Sequence, residues 1–326
     1  MWAVSARGVT RAPDSFYDSP CHTSPLPFLS YNGLSGGSTP ELLSQCLKSL
    51  TGLQSIRMGH NGLGTSSLLA EALSASTGLT RLSIASIGLD AQLKGAAACS
   101  WAQAIGKLTA LQGLDLSGNR LGTPFSSGSQ SRGRQLNDLR PGYDGGDNEG
   151  DQEEGEGEGC ARDESMPSST IVISLAALSR LRCLDLTRSG LRGQEVDLAG
   201  SLRNLAALER LGLNGNDLGP EGVTDLAAAL GSLSCLQRLG LGNNLLGDDG
   251  VEVLADALLG QNGMAHSLER LDLRKNGITV RGAVALVPAL MAPMRLHLDI
   301  DENEGPAGPF LKSVLRAQKH RMAANT

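Results

Sequence analysis

Aromatic residues are scarce in this chain: two Trp, three Tyr and four Phe make up 3% of its 326 residues. That excludes a core of stacked rings, and equally a surface that binds single-stranded nucleic acid by stacking its bases. Six cysteines are scattered at 21, 46, 99, 160, 183 and 235, with no CxxC pair and no histidine at zinc-ligand spacing. Separated thiols of this kind are expected to be reduced, which fits an intracellular protein, cytoplasmic or nuclear. No apolar run approaches the ~18 residues of a membrane span. The opening MWAVSARGVTRAPDS lacks the apolar stretch of a secretory signal. Its two arginines and absence of acids before Asp14 leave organelle targeting as the alternative to a disordered tail over residues 1–23. The five histidines, at 22, 60, 266, 297 and 320, lie far apart, and no Ser/His/Asp or Cys/His grouping is suggested. The chain is therefore expected to have no catalytic residue, cofactor site or metal site.

What is abundant is leucine, and it is periodic. The stretches LQSIRMGHNGLG (53–64), LTRLSIASIGLD (79–90), LQGLDLSGNRLG (111–122) and LRCLDLTRSGLR (181–192) share the pattern LxxLxLxxNxL. So do LERLGLNGNDLG (208–219), LQRLGLGNNLLG (236–247) and LERLDLRKNGIT (268–279), with degenerate copies at PFLSYNGL (27–34) and LHLDIDENEG (296–305). Counting the first Leu as position 1, successive copies start 26, 32, 70, 27, 28 and 32 residues apart. Positions 4 and 6 point to one side of a short strand and positions 3, 5 and 7 to the other. Asparagine at position 9 can bond the backbone of its own turn and of neighbouring coils. Ile87 and Ser189 depart from it there, and Gly305 departs at the last Leu position. Between strands, SSLLAEAL (66–73), EGVTDLAAAL (221–230), DGVEVLADAL (249–258) and RGAVALVPAL (281–290) have helical apolar spacing. Neither half buries its apolar face alone, whereas stacked copies do.

These repeats closely resemble the ribonuclease-inhibitor-like leucine-rich repeats, over roughly residues 24–305. The resemblance implies an α/β solenoid, a horseshoe with a parallel sheet on its concave face and helices on its convex face. One domain of about eight or nine repeats is expected over 24–316, followed by a tail over 317–326. The basic, amphipathic PFLKSVLRAQKHRM (309–322) is expected to be a helix that caps the last coil.

The step of 70 holds one repeat plus an insert, 124–167, placed between a strand and its own helix, because LAAL (175–178) resumes the helical half. Within it, residues 144–164 carry −9, so a chain of net charge −6 is +3 elsewhere. The insert is rich in Ser, Gly, Asp and Glu, with no hydrophobe in 144–159; it is expected to be disordered, and it suits a basic partner if it binds one at all.

On the concave side, position 3 reads Ser55, Arg81, Gly113, Cys183, Arg210, Arg238, Arg270. Position 5 reads Arg57, Ser83, Asp115, Asp185, Gly212, Gly240, Asp272, Asp299. An arginine column beside a partly acidic one either pairs within the sheet or forms a mixed-charge groove for another protein. The candidate contacts are Arg57, Arg81, Asp115, Asp185, Arg210, Arg238, Arg270, Asp272 and Arg274, with Gly212 and Gly240 expected to leave a flat patch for partner side chains. Direct nucleic-acid binding is not expected, because few aromatics line this face. The expected function is a non-enzymatic protein-interaction module. Ran-type GTPase-activating proteins, which the repeats also resemble, supply an alternative. Their acidic run follows the repeats, whereas here it interrupts them; Asn214, Asn243 and Arg274 match by position alone. The SYNGL (30–34) and LSIASIGL (82–89) segments are similar to Tonsoku-type repair scaffolds and imply a nuclear role as a second alternative. DIDENEG (299–305) has a calcium-loop start, but Phe310 stands where the bidentate Glu belongs, and GHNGLG (59–64) lacks the lysine of a phosphate loop. Both read better as repeat turns.

Overall fold

A computed structural model describes residues 29–34, 38–50, 52–89, 96–122, 170–192, 198–260, 267–291, 296–303 and 305–324. The chain divides into two units, Met1–Thr123 with Pro167–Thr326, and Pro124–Met166. All described residues belong to the first; the acidic segment and the tail expected over 1–23 lie outside them.

Strands and helices alternate: α1 (Thr39–Ser49), β1 (Ser55–Arg57), α2 (Ser67–Ser74), β2 (Arg81–Ser83), α3 (Ala96–Lys107) and β3 (Gly113–Asp115). Next come α4 (Thr170–Ser174), β4 (Cys183–Asp185), α5 (Leu198–Leu202), β5 (Arg210–Gly212), α6 (Gly219–Leu230) and β6 (Arg238–Gly240). The order ends with α7 (Gly247–Leu259), β7 (Arg270–Asp272), α8 (Val280–Met291), β8 (His297–Asp299) and α9 (Ala307–Ala324). The eight strands form one parallel sheet in sequence order, β1 to β8. Each repeat begins one strand further along, so position 3 pairs with position 3 and position 5 with position 5 throughout. The register crosses the acidic insert unbroken, Leu114 pairing with Leu184.

Positions 4 and 6 carry the core. Leu114, Leu116, Leu239 and Leu241 are at most 2% exposed. They join helix residues such as Leu226, Leu254 and Leu286 in one continuous aliphatic layer. At roughly 2 kcal/mol per fully buried leucine, this layer is the main stabilising term. The helical half of the insert-bearing repeat is shorter than LAAL suggests. After α4 the chain tightens into a 3₁₀ turn over Leu175–Ala177, which places Leu175 and Leu178 in the core. At the other end α9 runs to Ala324, past residue 316 where the domain was expected to stop, and packs on α8.

The position-9 asparagines form a ladder. Asn216 accepts from the Ser189 and Leu191 N–H groups and donates to the Leu186 and Leu213 carbonyls. Asn119 and Asn303 make the same four-bond pattern to the preceding coil and their own. Each amide thus replaces water for backbone groups that a tight turn leaves unpaired. Ser189, where the asparagine is missing, reaches one of these carbonyls, that of Leu116, at 3.3 Å.

One position earlier, the chain turns in the left-handed region in every coil. Gly118 and Gly215 adopt it readily, but Tyr31, His60, Ser86, Arg188, Lys275 and Glu302 hold it as well, at φ between 51° and 62°. For residues with a Cβ this costs about 1 kcal/mol each. The parallel hydrogen bonds of the stacked coils impose the turn.

Candidate partner-binding face

The face of the sheet opposite the helices carries positions 3, 5 and 7. Strict register stacks Arg210, Arg238 and Arg270 on neighbouring strands, with Cys183 on one side and His297 on the other. Asp115 and Asp185 are likewise neighbours one row along, followed by Gly212, Gly240, Asp272 and Asp299.

The acids are held chiefly by donors of their own coils. Asp115 accepts from the Ser117 N–H and hydroxyl, at 3.1 and 2.7 Å, and from the Ser83 hydroxyl across the sheet at 2.9 Å. Asp185 accepts from the Thr187 N–H at 2.9 Å. Asp272, only 3% exposed, accepts from the Arg274 N–H and from both Nε and Nη2 of its guanidinium, at 2.9 and 2.7 Å. In each case an aspartate at position 5 captures a donor at position 7, two residues on. Arg274 is therefore tied to Asp272, whose hydrogen bonds hold its pKa above the ordinary value against burial. At the last strand His297 lies 3.2 Å from Asp299.

The glycines do not leave an empty patch. A Cβ on Gly212 would come within 2.9 Å of the Asp185 carboxylate, and one on Gly240 within 2.8 Å of the Asn214 amide. Above Gly242 a Cβ would meet Asp272 at 3.1 Å and Asn214 at 3.3 Å. Polar side chains from neighbouring strands lean over the glycines, and Asn214 accepts the Gly242 N–H at 2.7 Å. Glycine is required at 212 and 240 because the sheet surface there is covered by side chains from the preceding coil.

The arginine column is electrostatically distinct. Among the described residues, neither the Arg238 nor the Arg270 guanidinium makes a hydrogen bond or ion pair. Glu209, beside them, pairs with Arg182 at 3.1 Å instead. Burial, then the charges of Arg210 and Arg270, lowers the Arg238 pKa. At the other end of the face, burial also lowers that of Arg57, with Asp115 opposing and Arg81 adding to the effect. Asp185 is pushed up to about 6, first by burial and then by the Asp115 charge, despite the hydrogen bonding from Thr187.

Against this geometry, residues 207–227 and 265–287 match the family model described as Leucine Rich repeat. The fold is a leucine-rich-repeat solenoid. No curated protein matches the chain.

Within the solenoid, the other residues singled out in the sequence fall into repeat roles. Asn303 of the calcium-like DIDENEG stretch is the last ladder asparagine, and Asp301 pairs with Lys312 of α9. In GHNGLG, Gly59 and Gly64 allow close approach to the next coil, where a Cβ would meet the Ala85 and Gly88 carbonyls at 2.9 and 2.5 Å. Of the positions matched to Ran-type activators, Asn214 and Arg274 are engaged by Gly242 and Asp272, and Asn243 lies at a left-handed turn. His60 stacks on Tyr31, centroids 4.1 Å apart, at the N-terminal end of the solenoid. Among the described residues no His, Cys, Asp or Glu group could hold a metal ion, and no helix is long and apolar enough to cross a membrane. Sequence reading missed the pairing of position 5 with position 7. The repeated LDLS, LDLT and LDLR segments at 114–117, 184–187 and 271–274 were the available signal.

Proposed function

We propose that this leucine-rich-repeat solenoid is a non-enzymatic protein-interaction module. Its partner docks on the outer face of the sheet, centred on Arg210, Arg238 and Arg270, flanked by Asp185 and the Asp272–Arg274 pair. Arg57, Arg81 and Asp115 extend the contact toward β1. One observation carries the reading: guanidiniums are stacked in register with no internal partner for Arg238 and Arg270, while the acids beside them are satisfied elsewhere. Repelling charges so placed cost stability, and a protein retains such a cost where it serves binding. The ribonuclease-inhibitor-like type suits the helices of 12, 13 and 12 residues in α6, α7 and α8.

The test is site-specific photo-crosslinking in cells. Crosslinkers replace Arg81 or His297 on the outer face, and Glu71 on α2 or Arg203 in the exposed turn after α5 on the helix side. A defined partner band from the first pair alone is expected. Crosslinks from the helix positions alone would overturn the reading.

A further inference from the structure

We infer that the occupant of this face is an acidic segment of a partner protein, its carboxylates received by the guanidiniums of Arg238 and Arg270 with Arg210 beside them. The inference rests on the outer-face reading above and names the chemistry of what binds there.

Charge complementarity is the argument. Neighbouring strands lie about 4.8 Å apart, so three in-register arginines present positive charge over about 10 Å. The sheet offers the Arg238 and Arg270 guanidiniums little neutralisation. Asp272 is clamped by Arg274, Asp185 receives Thr187, and Glu209 goes to Arg182. Glu269 acts on Arg238 through its charge, without a bond. An arriving carboxylate would relieve the repulsion along the column. It would also satisfy donors whose planar fork suits two-oxygen acceptors.

The surroundings favour a protein acid over a nucleic acid. Asp185 and Asp272 border the column, and Glu209 and Glu269 precede Arg210 and Arg270 in sequence. A continuous phosphate chain would meet these acids, whereas separate carboxylates can be placed between them. None of the outward positions of β4 to β7 is aromatic, so bases would find no ring to stack on. Carboxylates about 5 Å apart over about 10 Å match successive turns of one helix face, with its 5.4 Å pitch.

The experiment titrates the full chain into a short fluorescent helix-forming peptide carrying Glu at i, i+4 and i+7, with anisotropy as the readout. Its Gln counterpart and a single-stranded oligonucleotide of equal charge run in parallel. Saturable binding of the Glu peptide alone is expected. R238E/R270E should weaken it by at least about tenfold, and R238Q/R270Q by less, with unchanged circular dichroism. The control R203E/R316E, at exposed positions in the turn after α5 and on α9, should stay within about twofold. Equal binding of the Gln peptide, equal loss in the control, or tighter oligonucleotide binding through the same arginines would each overturn the inference. So would self-association that R238E/R270E abolishes, since the occupant would then be a second copy. Outer-face crosslinks without Glu-peptide binding sink this inference alone; crosslinks from the helix layer alone sink the docking reading too.

Discussion

Replacing Asn216 with alanine tests whether the asparagine ladder joins the coils. The side chain is 1% exposed and makes four hydrogen bonds, all to backbone. In the variant the Ser189 and Leu191 N–H groups lose their acceptor, and the Leu186 carbonyl loses its amide donor. The Leu213 carbonyl keeps the bond from Asn244 Nδ2 at 3.0 Å. Three orphaned buried groups at about 1 kcal/mol or more each give a loss of about 3 kcal/mol, a large part of the total stability of an ordinary domain. Ser189→Ala removes one long bond and should cost about 0.5–1 kcal/mol. Urea unfolding followed by circular dichroism measures both. Hydrogen exchange adds a local readout, because each coil is stabilised chiefly by its neighbours. The Ser189 and Leu191 amides should lose protection first. A loss below about 1 kcal/mol in Asn216→Ala, with those amides as protected as before, would refute the ladder as the inter-coil joint.

Three further outcomes follow from the same geometry. Asp185 has a folded pKa of about 6 against an ordinary 3.8, so the folded state binds the extra proton and stability falls as pH rises between those values. Asp185→Asn should remove that slope and add up to about 3 kcal/mol above pH 6, measured by urea unfolding across pH; an unchanged slope would assign it to another group. Gly122→Ala places a Cβ 1.9 Å from the Gly190 carbonyl oxygen and should cost at least about 2 kcal/mol. Gly231→Ala, in open space at φ −60°, should gain about 0.5 kcal/mol. Asp248 accepts from Thr279 N, Thr279 Oγ1 and Gly282 N across the coils. Burial raises its pKa, but these bonds and that from Arg281 outweigh burial and hold it below 3.8. Asp248→Ala should cost about 2 kcal/mol at neutral pH. The wild-type advantage should be complete above pH 3.8 and fade as acid protonates the folded carboxyl, which a melting series in acid would show.

The candidate face was legible in the sequence as a roster of residues but not as an arrangement of partners. Strand alternation alone puts Arg210, Arg238 and Arg270 on one side, and repeat alignment puts them in line. Which acid meets which base depends on side-chain reach. Asp272 could have met Arg270 or Arg238; it bonds Arg274 because position 7 offers both an N–H and a guanidinium at short range. The glycines misled for the same reason. A glycine in a strand sequence reads as space, whereas Asp185 and Asn214 extend sideways from neighbouring strands and occupy it.

By itself, then, the sequence determined the repeat, the parallel sheet in chain order, the leucine core and the places of the ladder asparagines. Each of these follows from local periodicity multiplied by stacking, so a single well-formed copy predicts its neighbours. It also determined that the acidic insert leaves the register intact, since the pattern before Gly122 and after Leu181 continues in phase. Only the tertiary structure decided the left-handed turn shared by residues as unlike as Tyr31 and Glu302, and the 3₁₀ turn at Leu175–Ala177. It also decided which side chains of neighbouring strands cover the outer-face glycines. Those features are set by contacts between coils, where a side chain meets groups some 30 residues away in sequence, and no local pattern encodes the length of that reach.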